Sequence, residues 1–171
     1  MIDKAKIIYK GDMITGIIFM VVGFVAGLIS LLLFLFASKV GFYFLAIGMS
    51  IFSLYGFVKG ILLYVVGKSR YKHYLKFDEL SLIQTQNEIK YTQYRLDKKV
   101  KNRRRYAWTF VIASLIGFAG IFTQEKGLII GTVIPIALFA ASEFSMGLLV
   151  EFRLWEYQRR LSKSIGIDID Q

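Results

Sequence analysis

MITGIIFMVVGFVAGLISLLLFLFAS, residues 13–38, is followed after the single Lys39 by VGFYFLAIGMSIFSLYGFV, residues 40–58. The pattern returns as YAWTFVIASLIGFAGIFTQ, residues 106–124, and, after only Glu125 and Lys126, as GLIIGTVIPIALFAAS, residues 127–142. None of the four stretches carries a charge. A bilayer core about 30 Å thick takes roughly 20 apolar residues per helix, and each stretch reaches that length once snorkelling end residues are admitted. The reading predicts an all-α integral membrane protein: four transmembrane helices in two hairpins, plus a cytoplasmic helical arm. Its expected parts are an N-terminal tail with the first hairpin (1–66), a basic arm (67–105), the second hairpin (106–151) and an amphipathic C-terminal tail (152–171).

Composition agrees. Of 171 residues 56% are hydrophobic, the mean hydropathy is +0.54 and there is one Pro, which is too apolar for a soluble domain of this size. With no Cys, a disulfide framework, a thiolate nucleophile and a Cys-type metal site are excluded. A signal-peptide core of about 7 to 15 residues is shorter than the first stretch, which leads straight into another span and is expected to stay in the mature protein.

Basic residues resist translocation, so their distribution predicts orientation. Lys4, Lys6 and Lys10 precede the first stretch, twelve Lys and Arg lie in 68–105, and Arg153, Arg159, Arg160 and Lys163 follow the fourth. Only Lys39 and Lys126 fall on the other side. Both termini and the middle segment are expected in the cytoplasm, with the protein multi-pass in the inner (plasma) membrane. Trp108, Trp155, Tyr9, Tyr64, Tyr106 and Tyr157 fall at the expected inner interface.

No Gly or Pro occurs between Gly67 and Gly117, so the arm is expected to be helical. A single straight helix would carry the chain about 60 Å from the membrane, so a turn is placed between Lys76 and Asn87, with Ser81 and Gln84 as a capping box and Asp78 as a competing cap. Leu75, Leu82, Ile89 and Leu96 recur every seven residues while Asp78, Thr85, Thr92 and Lys99 do not complete a coiled-coil seam; an arm packed on a neighbouring arm and an intersubunit bundle are both open. Gly41 with Gly127, Tyr71 with Tyr157 and Leu75 with Leu161 share an offset of 86 residues, the mark of a candidate duplication of the hairpin.

In lipid, helices associate through small residues and a few polar contacts. Gly16, Gly23, Gly27 and Ser30 share one face of the first span, Gly56 and Gly60 form a GxxxG in the second, and Gly117 follows Ala113 by four in the third. These faces suit packing within the chain or self-association. Lys59 and Glu143 stand 18 and 16 residues beyond the turn glycines Gly41 and Gly127, a shared level about 24 to 27 Å from the outer turns. Three roles are open: an ion pair tying the hairpins, independent snorkelling, or, with Ser142 and Ser145, a polar ring at the inner mouth of an oligomeric pore. Pro135 is expected to kink the fourth span.

KKVKNRRR, residues 98–105, places Lys98, Lys99, Lys101, Arg103, Arg104 and Arg105 just before the third span. Such a run holds its end in the cytoplasm and contacts anionic headgroups, or receives a nucleotide, an oligonucleotide or an acidic protein partner. Tyr71, Tyr74, Tyr91, Tyr94 and Tyr106 are available for stacking on bases or for packing. His73 is the only His, and nucleophile elbows, metalloprotease motifs and phosphate-cradling glycine loops are missing, so neither catalysis nor a metal or cofactor is expected.

The stretch from about 80 to 164, a long basic helix running into a tight hairpin that exits as a charged, aromatic amphipathic helix, resembles the SLATT group of bacterial membrane effectors associated with nucleotide-signalled defence systems. The likeness covers about half the chain, and the extra N-terminal hairpin departs from the usual two-span unit. It implies a homo-oligomeric pore or ion channel that opens from the cytoplasm and harms its own cell. The alternative expectation is a scaffold that docks a cytoplasmic partner through the arm and conducts nothing.

Overall fold

The computed structural model describes residues 2–36, 38–74 and 82–164. It consists of four helices, α1 (Ile2–Phe36), α2 (Val40–Tyr74), α3 (Leu82–Gly120) and α4 (Lys126–Ser164). At 1.5 Å per residue each is more than about 50 Å long, well beyond a bilayer core. The charged flanks therefore continue the apolar helices without a break: α2 passes through Gly67, α3 through Arg105 and α4 through Glu151. Residues 75–81, where the cap at Ser81 or Asp78 and the heptad position Leu75 were expected, lie outside the described residues; α2 ends at Tyr74 and α3 starts at Leu82.

Three helices, over Ile7–Phe36, Val40–Tyr74 and Lys126–Ser162, are long and apolar enough to cross a membrane. In α3 the uncharged part of the helix is shorter, running from Tyr106 only to Gly120. Residues 121–124, counted above with the third span, form a tight turn instead. The backbone N–H groups of Ile121, Phe122 and Thr123 donate three residues back, each at 3.2 Å, and Thr123 Oγ1 donates to the Gly120 carbonyl at 2.8 Å. The N–H and hydroxyl of Thr123 thus both serve the Gly120 carbonyl at the helix end, and Gly120 is a poor residue to continue a helix.

α1 and α2 form the first hairpin, α3 and α4 the second. The glycines explain how closely α1 and α2 approach. A methyl group on Gly16 would lie 2.7 Å from the Gly60 carbonyl oxygen, and one on Gly56 would lie 2.9 Å from Gly23 Cα. Gly27 opposes Ser53, while Ser30 Oγ donates to the Ala46 carbonyl at 2.8 Å and lies 2.6 Å from Ser50 Oγ. The small-residue faces of the first two spans thus meet each other within one chain. Gly117 similarly admits Val133 of α4.

The two hairpins join through α2 and α4, which run parallel. Gly41 meets the backbone of Gly127 and Gly131, Gly48 lies under the Pro135 ring, and Phe52 and Tyr55 both set their rings edge-on to Phe139. Partners along this seam stand roughly the same offset apart as Gly41 and Gly127. α4 is helical across Pro135, whose ring packs on Gly48.

Away from the turns the four helix ends gather round a core of Ile8, Tyr9, Val150, Leu154, Tyr157 and Leu161, with Tyr71 and Tyr74 of α2 and Ile89 and Leu96 of α3 packed on it. Of the positions that break the heptad pattern, Thr85 and Thr92 are buried, as is Glu88 between them. The apolar segments are covered with exposed large side chains, among them Val21 and Phe24 of α1, Ile51 and Leu54 of α2, Leu115 and Phe118 of α3, and Ile136 and Leu138 of α4. An apolar surface of that extent on every helix needs lipid or protein around it.

Candidate functional site

Lys59 and Glu143 are brought together. Lys59 Nζ donates to Glu143 Oε1, and Tyr55 OH donates to the same oxygen at 2.9 Å. Both donors come from α2 and the acceptor from α4, so the parallel seam sets the pair. Lys59 also lies over the Phe19 ring, 4.3 Å from its centroid. Ser142 donates its hydroxyl to the Phe139 carbonyl in its own helix at 2.9 Å, and Ser145 is exposed on another face. The four intramembrane polar candidates therefore do not form one cluster.

Beyond this pair α2 and α3 part. Among the described residues their Cα atoms nowhere come within 8 Å, whereas α4 contacts both. The gap is a cavity of about 440 Å³ between the charged halves of the two helices, floored by Glu143 and Gly147 of α4. Into it face Lys59 and Arg70 from α2 and Arg95, Lys98, Lys99 and Arg103 from α3, against only Asp12 and Glu143. Tyr55, Tyr91, Tyr94 and Tyr106 also line the wall, with Leu63 and Val66 of α2 and Asn102 of α3 among them.

Several of these cations are already engaged. Arg95 Nη2 donates to Asp12 Oδ2 at 2.8 Å, Arg103 pairs with Glu151 at 3.3 Å, and Arg70 stacks on Tyr91 at 4.1 Å while donating to Tyr9 OH at 3.4 Å. Lys98 and Lys99 make no hydrogen bond or salt bridge among the described residues. Lys99 is half-buried, and burial together with the neighbouring charges of Lys59 and Arg95 holds its ammonium below the usual lysine range, against the weaker pull of Glu143 and Asp12. Gly147, though buried, would meet nothing within 4 Å of an added methyl group.

The run 98–105 is split by the helical period. Lys98, Lys99 and Arg103 line the cavity, while Lys101, Arg104 and Arg105 line a shallow outer depression with Asp97, Val100 and Trp108. Asp12, Arg70, Arg95 and Gly147 were not singled out in sequence for this role. Below the cavity, towards the turns, a second, apolar groove of about 490 Å³ runs between α2 and α4 over Phe44, Ile47, Ile51, Pro135 and Ile136. Tyr55 borders both.

A polar node sits on the other side of the cavity. Glu88 accepts from Tyr9 OH and from Tyr74 OH, each at 2.6 Å, and the Tyr9 and Tyr74 rings stack at 5.2 Å. His73 stands edge-on to Tyr74. Together with Arg95 and Asp12 these side chains tie α3 to α1 and α2, whose backbones it does not approach. Comparison with family models, with curated proteins and with solved structures finds no match.

Proposed function

We propose that this chain is a four-span protein of the plasma membrane, termini and basic segment in the cytoplasm, acting without catalysis as a homo-oligomeric pore or channel-type effector under the control of an acidic ligand. The observation that carries the reading is the cationic cavity between α2 and α3. It lies where the two hairpins are held apart, and its cations repel one another across the gap. An anion entering it draws α3 towards α2, and because α3 is fixed to α4, the second hairpin then turns on the seam it shares with the first. The exposed apolar side chains of α3 from Trp108 to Phe118 support its place as the third of the four spans, and the resemblance of 80–164 to SLATT effectors supports the assignment to bacterial defence.

Purified protein in liposomes tests this: ions pass when an acidic ligand is added on the side bearing the basic segment, and a bilayer that stays tight under every such ligand refutes conduction. A second reading has its own support. Lys101, Arg104 and Arg105 face outward beside Trp108, a surface suited to an acidic cytoplasmic partner, and a scaffold using it would be monomeric in detergent and harmless when overproduced.

A further inference from the structure

Cavity and groove are adjacent, and their chemistry is complementary in a particular way. One is lined by cations and phenols, the other by aliphatic and aromatic side chains, and the ring of Tyr55, edge-on to Phe139 at 4.8 Å, stands where they meet. On the four-span placement, Lys59 and Glu143 lie about 24 to 27 Å from the outer turns, near the inner edge of the core, and the groove runs from there towards mid-bilayer. A ligand that fits both ends has an anionic head at the interface and an apolar tail along the helices.

We propose that the two are a single binding site for an anionic phospholipid of the inner leaflet, its phosphate beside Lys98 and Lys99 and one acyl chain in the groove between α2 and α4. This rests on the four-span reading and names the acidic ligand of the proposed function. Lys98 and Lys99 are suited to the headgroup because, among the α3 cations of the cavity, Arg95 and Arg103 are held in direct ion pairs and these two are not, and the repulsion that Lys59 and Arg95 exert on Lys99 is relieved by a phosphodiester. Gly147 leaves the space for it. A free phosphate satisfies the cations but leaves the groove without an occupant of its own.

Native mass spectrometry of the whole protein released from phosphatidylcholine nanodiscs containing phosphatidylglycerol provides the test. The wild type retains phosphatidylglycerol in excess of its share of the bilayer, and Lys98→Met and Lys99→Met each reduce that preference roughly fivefold, as removal of one interfacial cation implies. Gly147→Leu, which places a bulky side chain in the cavity from a position where an added methyl group meets nothing within 4 Å, abolishes it, while Lys90→Met, an equal charge change on the exposed face of α3, leaves it intact. Retention in the bilayer ratio, or a Gly147→Leu protein that keeps the preference, overturns the proposal. So does displacement of the bound lipid by millimolar glycerol 3-phosphate, which would assign the cavity to a soluble phosphate ester. The placement itself is checked separately: a lone cysteine introduced as Lys101→Cys reacts with impermeant maleimide only after the inner face is opened, and reaction in intact cells removes the four-span reading whatever lipid is bound.

Discussion

Lys59 and Glu143, 84 residues apart, share one hydrogen bond across the seam between α2 and α4 and have unequal surroundings: the Glu143 side chain is 6% exposed, that of Lys59 21%. The inequality sets which loss is worse. Without Lys59 a buried carboxylate keeps only the Tyr55 hydroxyl, whereas without Glu143 the lysine swings into the polar cavity beside it. Lys59→Met is expected to lower stability by about 3 kcal/mol and Glu143→Gln by about 1 kcal/mol. The double variant Lys59→Met with Glu143→Gln should recover most of the loss, since replacing both partners removes the uncompensated charge. Thermal unfolding in detergent gives the cycle, and additive losses would show that the pair does not join the hairpins.

The glycines divide by what lies opposite. A methyl group on Gly56 meets Gly23 Cα at 2.9 Å and the Phe19 carbonyl at 3.0 Å, backbone that can move only if α1 and α2 separate. Gly56→Ala should destabilise by about 1 to 3 kcal/mol despite the better helix propensity of Ala. Gly147→Ala, with open space around it, should instead stabilise by roughly 0.5 to 1 kcal/mol. Opposite signs for one chemical change, read in the same melting assay, separate close approach from propensity; matching signs would contradict the packing.

Local pattern explains why some of this was legible in the sequence and some was not. Hydropathy and glycine spacing act within a single helix, so the hairpins and the faces of Gly16, Gly23, Gly56 and Gly60 could be read before any partner was known. Counting from Gly41 and Gly127 placed Lys59 and Glu143 at one level because both helices start at equivalent turns. The cavity was not legible, since Asp12, Arg70 and Arg95 come from three helices and each looks like one more charge on a solvated flank. The polar face of α3 misled for a related reason. Thr85 and Thr92 interrupt the heptad pattern and Glu88 carries no sequence signal, yet all three are buried, Glu88 against the hydroxyls of Tyr9 and Tyr74 from α1 and α2. The third stretch was read a few residues too long because hydropathy does not register Thr123 closing the turn on Gly120.

Lys99 carries an unfavourable charge in the folded protein. Its folded-state pKa lies below the ordinary value of 10.5 through burial and the nearby cations Lys59 and Arg95, so the folded state binds the proton less well than the unfolded chain does. The penalty is fully present at pH values below the lowered pKa and disappears as pH rises through it towards 10.5. Lys99→Met is therefore expected to raise the melting temperature at neutral pH, by an amount equivalent to about 1 kcal/mol or less, and to lose that advantage in alkali. An anion in the cavity should produce the same stabilisation in the wild type and none in the variant. A variant that melts lower than wild type at neutral pH would mean that Lys99 has a stabilising partner.

Glu88 holds the charged helix ends together through two phenols drawn from α1 and α2. Both hydrogen bonds are short, at 2.6 Å, and charge-assisted, and the carboxylate is buried. Glu88→Ala leaves the hydroxyls of Tyr9 and Tyr74 inside the packed end with one acceptor gone for both, an expected loss of about 2 to 3 kcal/mol. Because the apolar segments do not touch this node, the loss should be local: faster amide exchange and tryptic cleavage in 8–12, 70–74 and 85–95, with the spans from Gly16 to Tyr55 and from Gly131 to Phe139 unchanged. Tyr74→Phe should account for roughly half of it, leaving Tyr9 to Glu88 in place. Uniform acceleration along all four helices would mean that the two ends of the molecule unfold as one unit, and that Glu88 stabilises the whole bundle rather than the α3 clamp.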